Sequence, residues 1–290
     1  MELRLLRYFV AVTEERHFGR AAARLHMTQP PLSRAIKQLE ADLGVVLLRR
    51  SATGVELTPG GDALLAEART LLARAERARA RVTAAAGPAT LSIGTLADSA
   101  AAASTRLAAT FRRHHPEVAI RIREADFTDP TTGLRSGLVD VALTRAPFDD
   151  HGISMAVLRT DPIGVVLRAD DPLVGRGPLC LADLADRPWP QLPEGTDPVW
   201  RAYWNGATPA GGRRAGPVVR TITECLQAVL WNGTVGVAPL THAMPDGLTV
   251  ARLTDMPPSP LVVAWASENE NPLVASFAQI ARQAYRPAPP

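Results

Sequence analysis

The sequence predicts a small, mainly helical N-terminal domain with a β-hairpin, then one long helix, then a larger α/β region. Apolar residues at helical spacing recur through the first 44 positions. A second apolar series, at the spacing of helix-to-helix seams, runs from Leu64 to Val82. From Leu91 onward, short apolar runs alternate with helical segments, which is typical of α/β domains.

Length and composition fit a globular protein of two or three domains. The 290 residues are 46% hydrophobic and 21% charged, and no apolar run reaches the roughly 18 residues that a membrane span needs. The first helix is amphipathic and lacks the layout of a signal peptide. Two cysteines, Cys180 and Cys225, are too few for a disulfide scaffold. We therefore expect a cytoplasmic protein without membrane association.

Positive charge is concentrated toward the N-terminus. Residues 1–88 hold 14 Lys and Arg against 9 Asp and Glu, a balance of +5, whereas residues 89–290 hold 18 against 20, a balance of −2. A basic N-terminal part suits contact with phosphate. Because the excess is modest, it supports a nucleic-acid partner without establishing one.

Two helices are predicted ahead of residue 28. The first carries an apolar stripe formed by Leu3, Leu6, Phe9 and Val10. The second is a short segment from Phe18 to Leu25, whose alanines let helices pack closely. A brief turn then leads to Thr28, so the order is the helix, short helix, turn and helix of a helix-turn-helix motif.

The stretch TQPPLSRAIKQLEADLG, residues 28–44, predicts the third helix. Thr28 is the candidate N-cap, and Pro30 and Pro31 are tolerated because first-turn N–H groups have no helical partner. Gly44 suits the helix end. One face is apolar, with Leu32, Ile36, Leu39 and Leu43. The opposite face is polar and is either a recognition surface or an ordinary solvated one; it holds Gln29, Ser33, Arg34 and Lys37.

Two short β-type runs follow the third helix, at Val45–Leu48 and Val55–Leu57, on either side of a SATG turn. They predict the hairpin of a winged helix-turn-helix domain. The whole string from MELRLLRYFVAV to VELTPGG, residues 1 to about 61, resembles without a gap the N-terminal domain of LysR-type transcriptional regulators. We take residues 1–58 as this domain.

The resemblance implies roles for individual residues. It places Gln29, Pro30, Ser33 and Arg34 in the major groove of duplex DNA, where Arg34 suits a guanine edge, Gln29 an adenine and Pro30 a thymine methyl. Lys37, Arg50 and the wing residue Thr53 are expected at phosphates, which position the protein without specifying sequence. Wings of this family often carry arginine at the tip, where this chain has Thr53 and Gly54, and this weighs against a minor-groove contact by the wing.

A long helix is predicted over residues 59–88, with Thr58 as its cap and Pro59 at its first position. Its apolar positions follow a 4, 3, 4, 3, 4 spacing at Leu64, Ala68, Leu71, Ala75, Ala78 and Val82. This spacing favours a seam between two helices, and the resemblance identifies the segment with the linker helix through which LysR-type proteins dimerise. The alternative is a helix that packs on its own domain.

Residues 89–290 are predicted to form a parallel α/β region, and they resemble, more loosely, the effector-binding domain of the same family. That domain is itself similar to periplasmic binding proteins and has two lobes. We assign 89–160 and 268–290 to lobe I and 161–267 to lobe II. The segment 205–217, rich in Gly, Pro and Ala, is predicted to be a loop.

A small-molecule effector is expected in the cleft between the lobes, near strand ends and helix starts. The matching positions are Asp98, Ser99, Thr128, Arg145, Thr196 and Thr223. Small carboxylates are common effectors in this family; Arg145 agrees with an anion, whereas Asp98 opposes one. Simple capping of turns and helices is an equally good interpretation of each residue.

Rival functions have weaker support. The enzyme motifs G-x-S-x-G, G-x-G-x-x-G, H-E-x-x-H and the P-loop are absent, so no catalytic residue and no cofactor are predicted. His114, His115 and Glu117 favour a surface turn over a metal site. A solute-binding protein would not carry the first 88 residues. A redox sensor is the remaining alternative, but Cys180 and Cys225 lie 45 positions apart, unlike the closely spaced pair of peroxide-sensing relatives.

The prediction is therefore a LysR-type transcriptional regulator. Its implied partners are a pseudo-palindromic DNA operator, a small-molecule effector, further copies of the chain as a dimer or a dimer of dimers, and RNA polymerase as a candidate.

Overall fold

The computed structural model describes residues 2–51, 54–85, 89–96, 102–205 and 215–286. The chain divides near residue 86 into two compact units. The elements of the N-terminal unit are α1 (Leu3–Glu15), α2 (Phe18–Arg24), α3 (Gln29–Leu43), β1 (Leu48–Ser51), β2 (Gly54–Leu57) and α4 (Pro59–Ala85).

One apolar core holds the N-terminal unit together. Phe9 of α1 and Leu32 and Leu39 of α3 are fully buried, and Ala21 and Ala22 of α2 allow its close approach to them. Each buried leucine or phenylalanine contributes roughly 1.5–3 kcal/mol. Leu43, predicted as the last residue of the buried stripe, is instead 38% exposed, because the last turn of α3 extends beyond the apolar core.

The first strand of the hairpin is shifted from its predicted position: it spans Leu48–Ser51 and not Val45–Leu48, and the second strand begins at Gly54. The segment Val45–Leu47 is not a strand, since the Leu47 and Leu48 N–H groups donate to Glu40 Oε1 at 2.8 and 3.2 Å. A side chain of α3 therefore takes the place of a strand partner, and pairing with β2 starts only at Leu48.

The long helix α4 begins as predicted. The Thr58 hydroxyl accepts the Gly61 N–H at 3.0 Å, and Pro59 is the first helical residue. Ala68 is fully buried, and Leu64 and Leu71 pack against the core of the N-terminal unit. The first half of the predicted seam thus packs on its own domain, as the alternative held, while Val82 in the second half is 72% exposed.

The C-terminal unit contains two main sheets with helices packed on them. Its elements are β3 (Thr90–Thr95), α5 (Ala102–His114), β4 (Ala119–Glu124), β5 (Val141–Arg145), β6 (Ile153–Asp161), β7 (Ile163–Arg168), a 3-10 helix (Leu181–Leu184), β8 (Trp189–Gln191), α6 (Pro198–Trp204), β9 (Ala215–Val218), α7 (Ile222–Asn232), β10 (Gly236–Pro239), β11 (Leu248–Arg252), β12 (Ser259–Ala266) and α8 (Pro272–Ala284).

The first sheet has the strand order β4-β3-β5-β12-β6. Its first three strands are parallel, and α5 and α8 pack against it through Phe111 and Phe277, whose ring centroids lie 5.4 Å apart. The α/β class is as predicted, but an all-parallel arrangement is wrong, because β12 runs antiparallel to both β5 and β6.

The position of β12 also corrects the predicted lobe boundary. A boundary at residue 268 put Ser259–Ala266 in lobe II, yet this strand lies between two strands of the first sheet and hydrogen-bonds to both. The second sheet is smaller and antiparallel, with the order β10-β7-β11. The chain therefore leaves the first sheet after β6 and returns to it before residue 259.

Within the described ranges, no helix is both long enough and apolar enough to cross a bilayer. The same ranges hold no group of three or more His, Cys, Asp or Glu side chains arranged to bind a metal ion.

Candidate nucleic-acid interface and ligand cavity

Helix α3 packs on the core of the N-terminal unit with one face and exposes a polar face on the opposite side. Leu32, Ile36 and Leu39 are at most 2% exposed, which fixes the helix on the core. On the other side Gln29, Pro30, Arg34 and Lys37 are exposed, and Ser33 is half-buried. The predicted major-groove residues and Lys37 thus share one accessible surface.

The start of α3 is held differently from the prediction. Thr28 is the N-cap, but its side chain makes no capping hydrogen bond. An N-cap hydroxyl normally accepts the N–H of the second or third helical residue; here these are Pro30 and Pro31, which have no N–H. The end of the helix is as predicted, since Gly44 adopts a left-handed conformation with φ of 71°.

The positive side chains of α3 are available to an anion. Glu40 is occupied by the amides of the wing segment, and Asp42 accepts a 2.7 Å hydrogen bond from Gln38. Among the described residues, Arg34 and Lys37 make no ion pair within this structure. A guanidinium and an ammonium in that state suit a guanine edge and a phosphate.

The wing is positioned by a close backbone contact. The Val55 N–H donates to the Arg16 carbonyl at 3.0 Å, and a Cβ on Gly54 would lie 2.5 Å from that same oxygen. Gly54, with φ of 132°, is therefore required where the hairpin meets the end of α1. Arg50 lies on β1 opposite Val55. The predicted residue Thr53 lies outside the described residues.

An apolar cavity of about 80 Å³ occupies the C-terminal unit. Both sheets contribute to it, through Arg145 of β5 and Val166 of β7, and α6 and α7 close its sides. The lining residues are Leu96, Phe127, Arg145, Val166, Pro190, Leu192, Trp200, Trp204, Asn205, Val219, Ile222, Cys225, Leu226, Gly236, Val237, Ala238, Pro239 and His242. Concave, mainly apolar sites with a few polar groups are typical of small-molecule pockets.

Arg145 is the one predicted effector residue that lines this cavity within the described part of the chain. Its Nη1 donates to Asp161 Oδ2 at 2.9 Å, and both side chains are 4% exposed. Arg159 Nε donates to the same oxygen at 3.0 Å. Arg145 is thus held by a buried carboxylate, which it shares with the second guanidinium of Arg159.

The other predicted effector residues are not brought together at the cavity. Thr128 bonds through its N–H and its hydroxyl to Asp126, which makes it a turn residue. Thr196 is 3% exposed and is not among the cavity residues. Thr223 is exposed, because α7 starts at Ile222 and is capped by Thr221, whose hydroxyl accepts the Glu224 N–H at 3.1 Å. Asp98 and Ser99 lie outside the described residues.

Comparison with known proteins decides the family. Residues 3–62 match the model described as bacterial regulatory helix-turn-helix protein, lysR family, and residues 84–286 match the LysR substrate binding domain. The chain belongs to the LysR family. It is a LysR-type transcriptional regulator with a helix-turn-helix DNA-binding domain and an effector-binding domain.

Similar proteins agree with this assignment. AlsR of Bacillus subtilis, named as a transcriptional regulator, is 35% identical over 202 residues, which are 66% of this chain and 67% of AlsR. Full-length CbnR complexed with its target DNA is 28% identical, covers 98% of this chain and 100% of that chain, and has a TM-score of 0.57. A full-length OxyR variant from Pseudomonas aeruginosa is 26% identical over 99% of this chain and 100% of that chain, with a TM-score of 0.52.

Helix α6 of this LysR-type regulator supplies two cavity residues that the sequence analysis missed, Trp200 and Trp204. Asp197 caps the helix by accepting the Val199 and Trp200 N–H groups at 2.9 and 3.0 Å. Trp200 is 2% exposed, and its ring centroid lies 5.1 Å from that of Trp204. The signal was present in the sequence DPVWRAYW, where an Asp-Pro start precedes two tryptophans four residues apart.

The two cysteines of the regulator are both free thiols. Cys225 lines the cavity, and burial raises its pKa to about 11, so it stays protonated near neutral pH. Cys180 lies at the 3-10 helix, where its thiol and its N–H both donate to Asp183.

The histidines near residue 115 have structural partners. His115 Nε2 lies 2.7 Å from Ser276 Oγ, and His114 Nδ1 lies 2.9 Å from the Thr110 carbonyl oxygen. His115 therefore ties the end of α5 to α8, whereas His114 bonds within the last turn of its own helix.

Proposed function

We propose that this LysR-type regulator reads a pseudo-palindromic operator with α3 and changes its DNA-bound state when a small molecule occupies the apolar cavity. Gln29, Pro30, Ser33 and Arg34 contact base edges. Lys37 and Arg50 contact phosphates. The observation that carries the proposal is the exposed, unpaired Arg34 on a helix whose opposite face is buried.

The domain roles follow the predicted boundaries: 1–58 binds DNA, 59–88 links and dimerises, and 89–290 binds the effector. Two copies would place two α3 helices on successive half-sites, and two dimers would bend the DNA between them. RNA polymerase is a further proposed partner.

The second half of α4 is proposed to form the contact between the two copies of the dimer. Leu64, Ala68 and Leu71 are occupied by the core of their own domain, which leaves Ala78 and Val82 exposed. So short a seam is weak by itself. We therefore expect the C-terminal unit to add contacts in the assembled protein.

The experiment is a selection of bound sequences from a random duplex pool with the full-length protein. An enriched inverted repeat is expected for the parent chain and for Arg282→Ala, a control on the exposed surface of α8. Arg34→Ala should lose about 1–3 kcal/mol of base discrimination while keeping the mass of the dimer. Identical enrichment by Arg34→Ala and the parent would remove α3 from the recognition role.

Redox sensing is the second candidate, favoured by the similarity to OxyR structures. The half-buried Cys225, whose raised pKa keeps the thiol protonated, weighs against it, because the thiolate is the reactive form. We expect hydrogen peroxide to leave operator binding unchanged. A peroxide-dependent change that disappears in a Cys180→Ser, Cys225→Ser double variant would instead establish a redox sensor.

A further inference from the structure

The wing, formed by β1 and β2, is joined to helix α3 by the segment Val45–Leu47, and one side chain of α3 fixes that segment. We infer that Glu40 is a positioning residue for DNA binding, which holds the wing where it reaches a phosphate of the same duplex that α3 reads. This inference rests on the proposed function, in which α3 contacts base edges and the wing contacts phosphates.

The Glu40 carboxylate binds two consecutive amides at the start of the wing. The Leu47 and Leu48 N–H groups both donate to its Oε1, at 2.8 and 3.2 Å, and Leu48 is the first residue of β1. The Glu40 carbonyl oxygen also accepts the Gly44 and Val45 N–H groups, the latter at 3.2 Å. Residue 40 thus holds the end of α3 with its backbone and the start of the wing with its side chain.

The carbonyl groups of the same segment are held by Thr58, just ahead of α4. Its hydroxyl donates to the Val46 carbonyl oxygen at 2.7 Å, and its N–H donates to the Leu47 carbonyl oxygen at 3.0 Å. A Cβ on Gly61 would lie 2.2 Å from that second oxygen, so α4 is in direct contact with the segment. The segment is therefore fixed to α4 by its carbonyl groups and to α3 by its amides.

The placement of the wing matters because β1 carries two consecutive arginines. Arg49 is exposed, and Arg50 is the proposed phosphate contact. The attraction between a guanidinium and a phosphate falls with distance, and β1 starts directly after the segment that Glu40 holds. We therefore expect loss of the Glu40 hydrogen bonds to remove the phosphate contact of the wing. The base contacts should stay, since the buried face of α3 still fixes that helix on the core.

Substitutions at position 40 separate the reach of the side chain from its charge. Glutamate and glutamine place an acceptor oxygen at the same distance from the backbone, whereas aspartate is one methylene shorter and alanine has no acceptor. Glutamate and aspartate are charged, whereas glutamine and alanine are neutral. The parent is therefore compared with Glu40→Gln, Glu40→Asp and Glu40→Ala. If Glu40→Ala does not fold, Glu40→Asp still tests reach against the parent at constant charge.

The measurement is the affinity of the full-length protein for the selected operator at salt concentrations from 50 to 200 mM. The logarithm of the affinity falls with that of the salt concentration, with a slope of about 0.9 per neutralised phosphate. We expect the parent and Glu40→Gln to share one slope. The slopes of Glu40→Asp and Glu40→Ala should be shallower by about 1 for each wing. For one wing, the affinity difference from the parent then narrows about 3.5-fold across this salt range.

The salt slope distinguishes positioning from a general loss of structure. A variant that is merely less stable has a smaller active fraction, which lowers the apparent affinity by the same factor at every salt concentration and leaves the slope unchanged. The matched control is Glu67→Ala, the same substitution at an exposed position of α4, for which we expect the slope of the parent. The base preference found in the operator selection should be the same for every variant.

Three outcomes overturn the inference: the parent's slope in Glu40→Asp or in a folded Glu40→Ala, a slope as shallow in Glu40→Gln as in Glu40→Ala, or a changed base preference in Glu40→Ala. Arg50→Ala separates these from a failure of the proposed function. A shallower slope in Arg50→Ala with the parent's slope in Glu40→Ala refutes only the role of Glu40. The parent's slope in Arg50→Ala refutes the proposed phosphate contact itself.

Discussion

The buried ion pair between Arg145 and Asp161 gives a sharp prediction about stability. Asp161→Asn removes the negative charge and leaves Arg145 buried at 3% exposure without its counter-ion. Breaking a buried pair from one side costs about 3–5 kcal/mol. Arg159, which is 31% exposed in its side chain and shares the same carboxylate oxygen, can reach water, so the lower end, about 3 kcal/mol, is expected.

The assay is urea unfolding of the full chain, followed by the signal of the C-terminal unit. With a slope of about 2 kcal/mol per molar urea, a loss of about 3 kcal/mol lowers the midpoint by about 1.5 M. A double variant, Arg145→Met with Asp161→Leu, removes both charges and should recover most of the loss, because an apolar pair of similar volume avoids the desolvation cost.

The matched control is Asp170→Asn. Asp170 pairs with Arg168 at the surface, where the two side chains are 68% and 47% exposed, so no measurable change in midpoint is expected. Equal midpoints for the Asp161 and Asp170 variants would refute the argument, because burial would then make no difference to the value of an ion pair in this chain.

Other predictions test the remaining features. Gly61→Ala should destabilise the N-terminal unit by about 2 kcal/mol or more, since a Cβ there would lie 2.2 Å from the Leu47 carbonyl oxygen; a melting temperature equal to the parent's would contradict this. Cys225 should resist alkylation at pH 7.5 and react only as the pH approaches its raised pKa of about 11, which mass spectrometry of the modified peptide follows, and rapid labelling at neutral pH would show an exposed thiolate instead. Val82→Glu should weaken the dimer, because the side chain is 72% exposed and lies on the proposed seam; light scattering that gives an unchanged dimer mass would move the interface elsewhere.

The sequence was sufficient to predict the features that depend only on residues close together in the chain. The 3.6-residue period of α3 placed Leu32, Ile36 and Leu39 inside and left Arg34 outside, because helix geometry alone decides which side chains share a face. The start of α4 at Pro59 is similarly local, since the cap and the proline act within one turn.

The cavity could not be predicted from local sequence patterns. Its walls come from strands and helices far apart in the chain, and the sequence does not give the order in which strands join a sheet. The pairing of Arg145 with Asp161 is an example, because the two strands that carry them are neighbours of β12, about a hundred residues later in the chain. The prediction that Thr223 lies at the start of a helix was wrong for a different reason. Thr221 and Thr223 are both plausible caps of α7, and only the backbone geometry shows that Thr221 is the N-cap.

In the proposed function, different faces of helix α3 keep the domain folded and read DNA. Its start depends on two prolines and on no side-chain hydrogen bond from Thr28, and its packing depends on the buried face. Exposed substitutions on an anchored helix usually change stability by less than about 0.5 kcal/mol. Gln29 and Arg34 can therefore be exchanged during evolution, or in the laboratory, with little loss of folded protein. If these residues read the operator as proposed, new operators can be acquired in this way while the scaffold is kept.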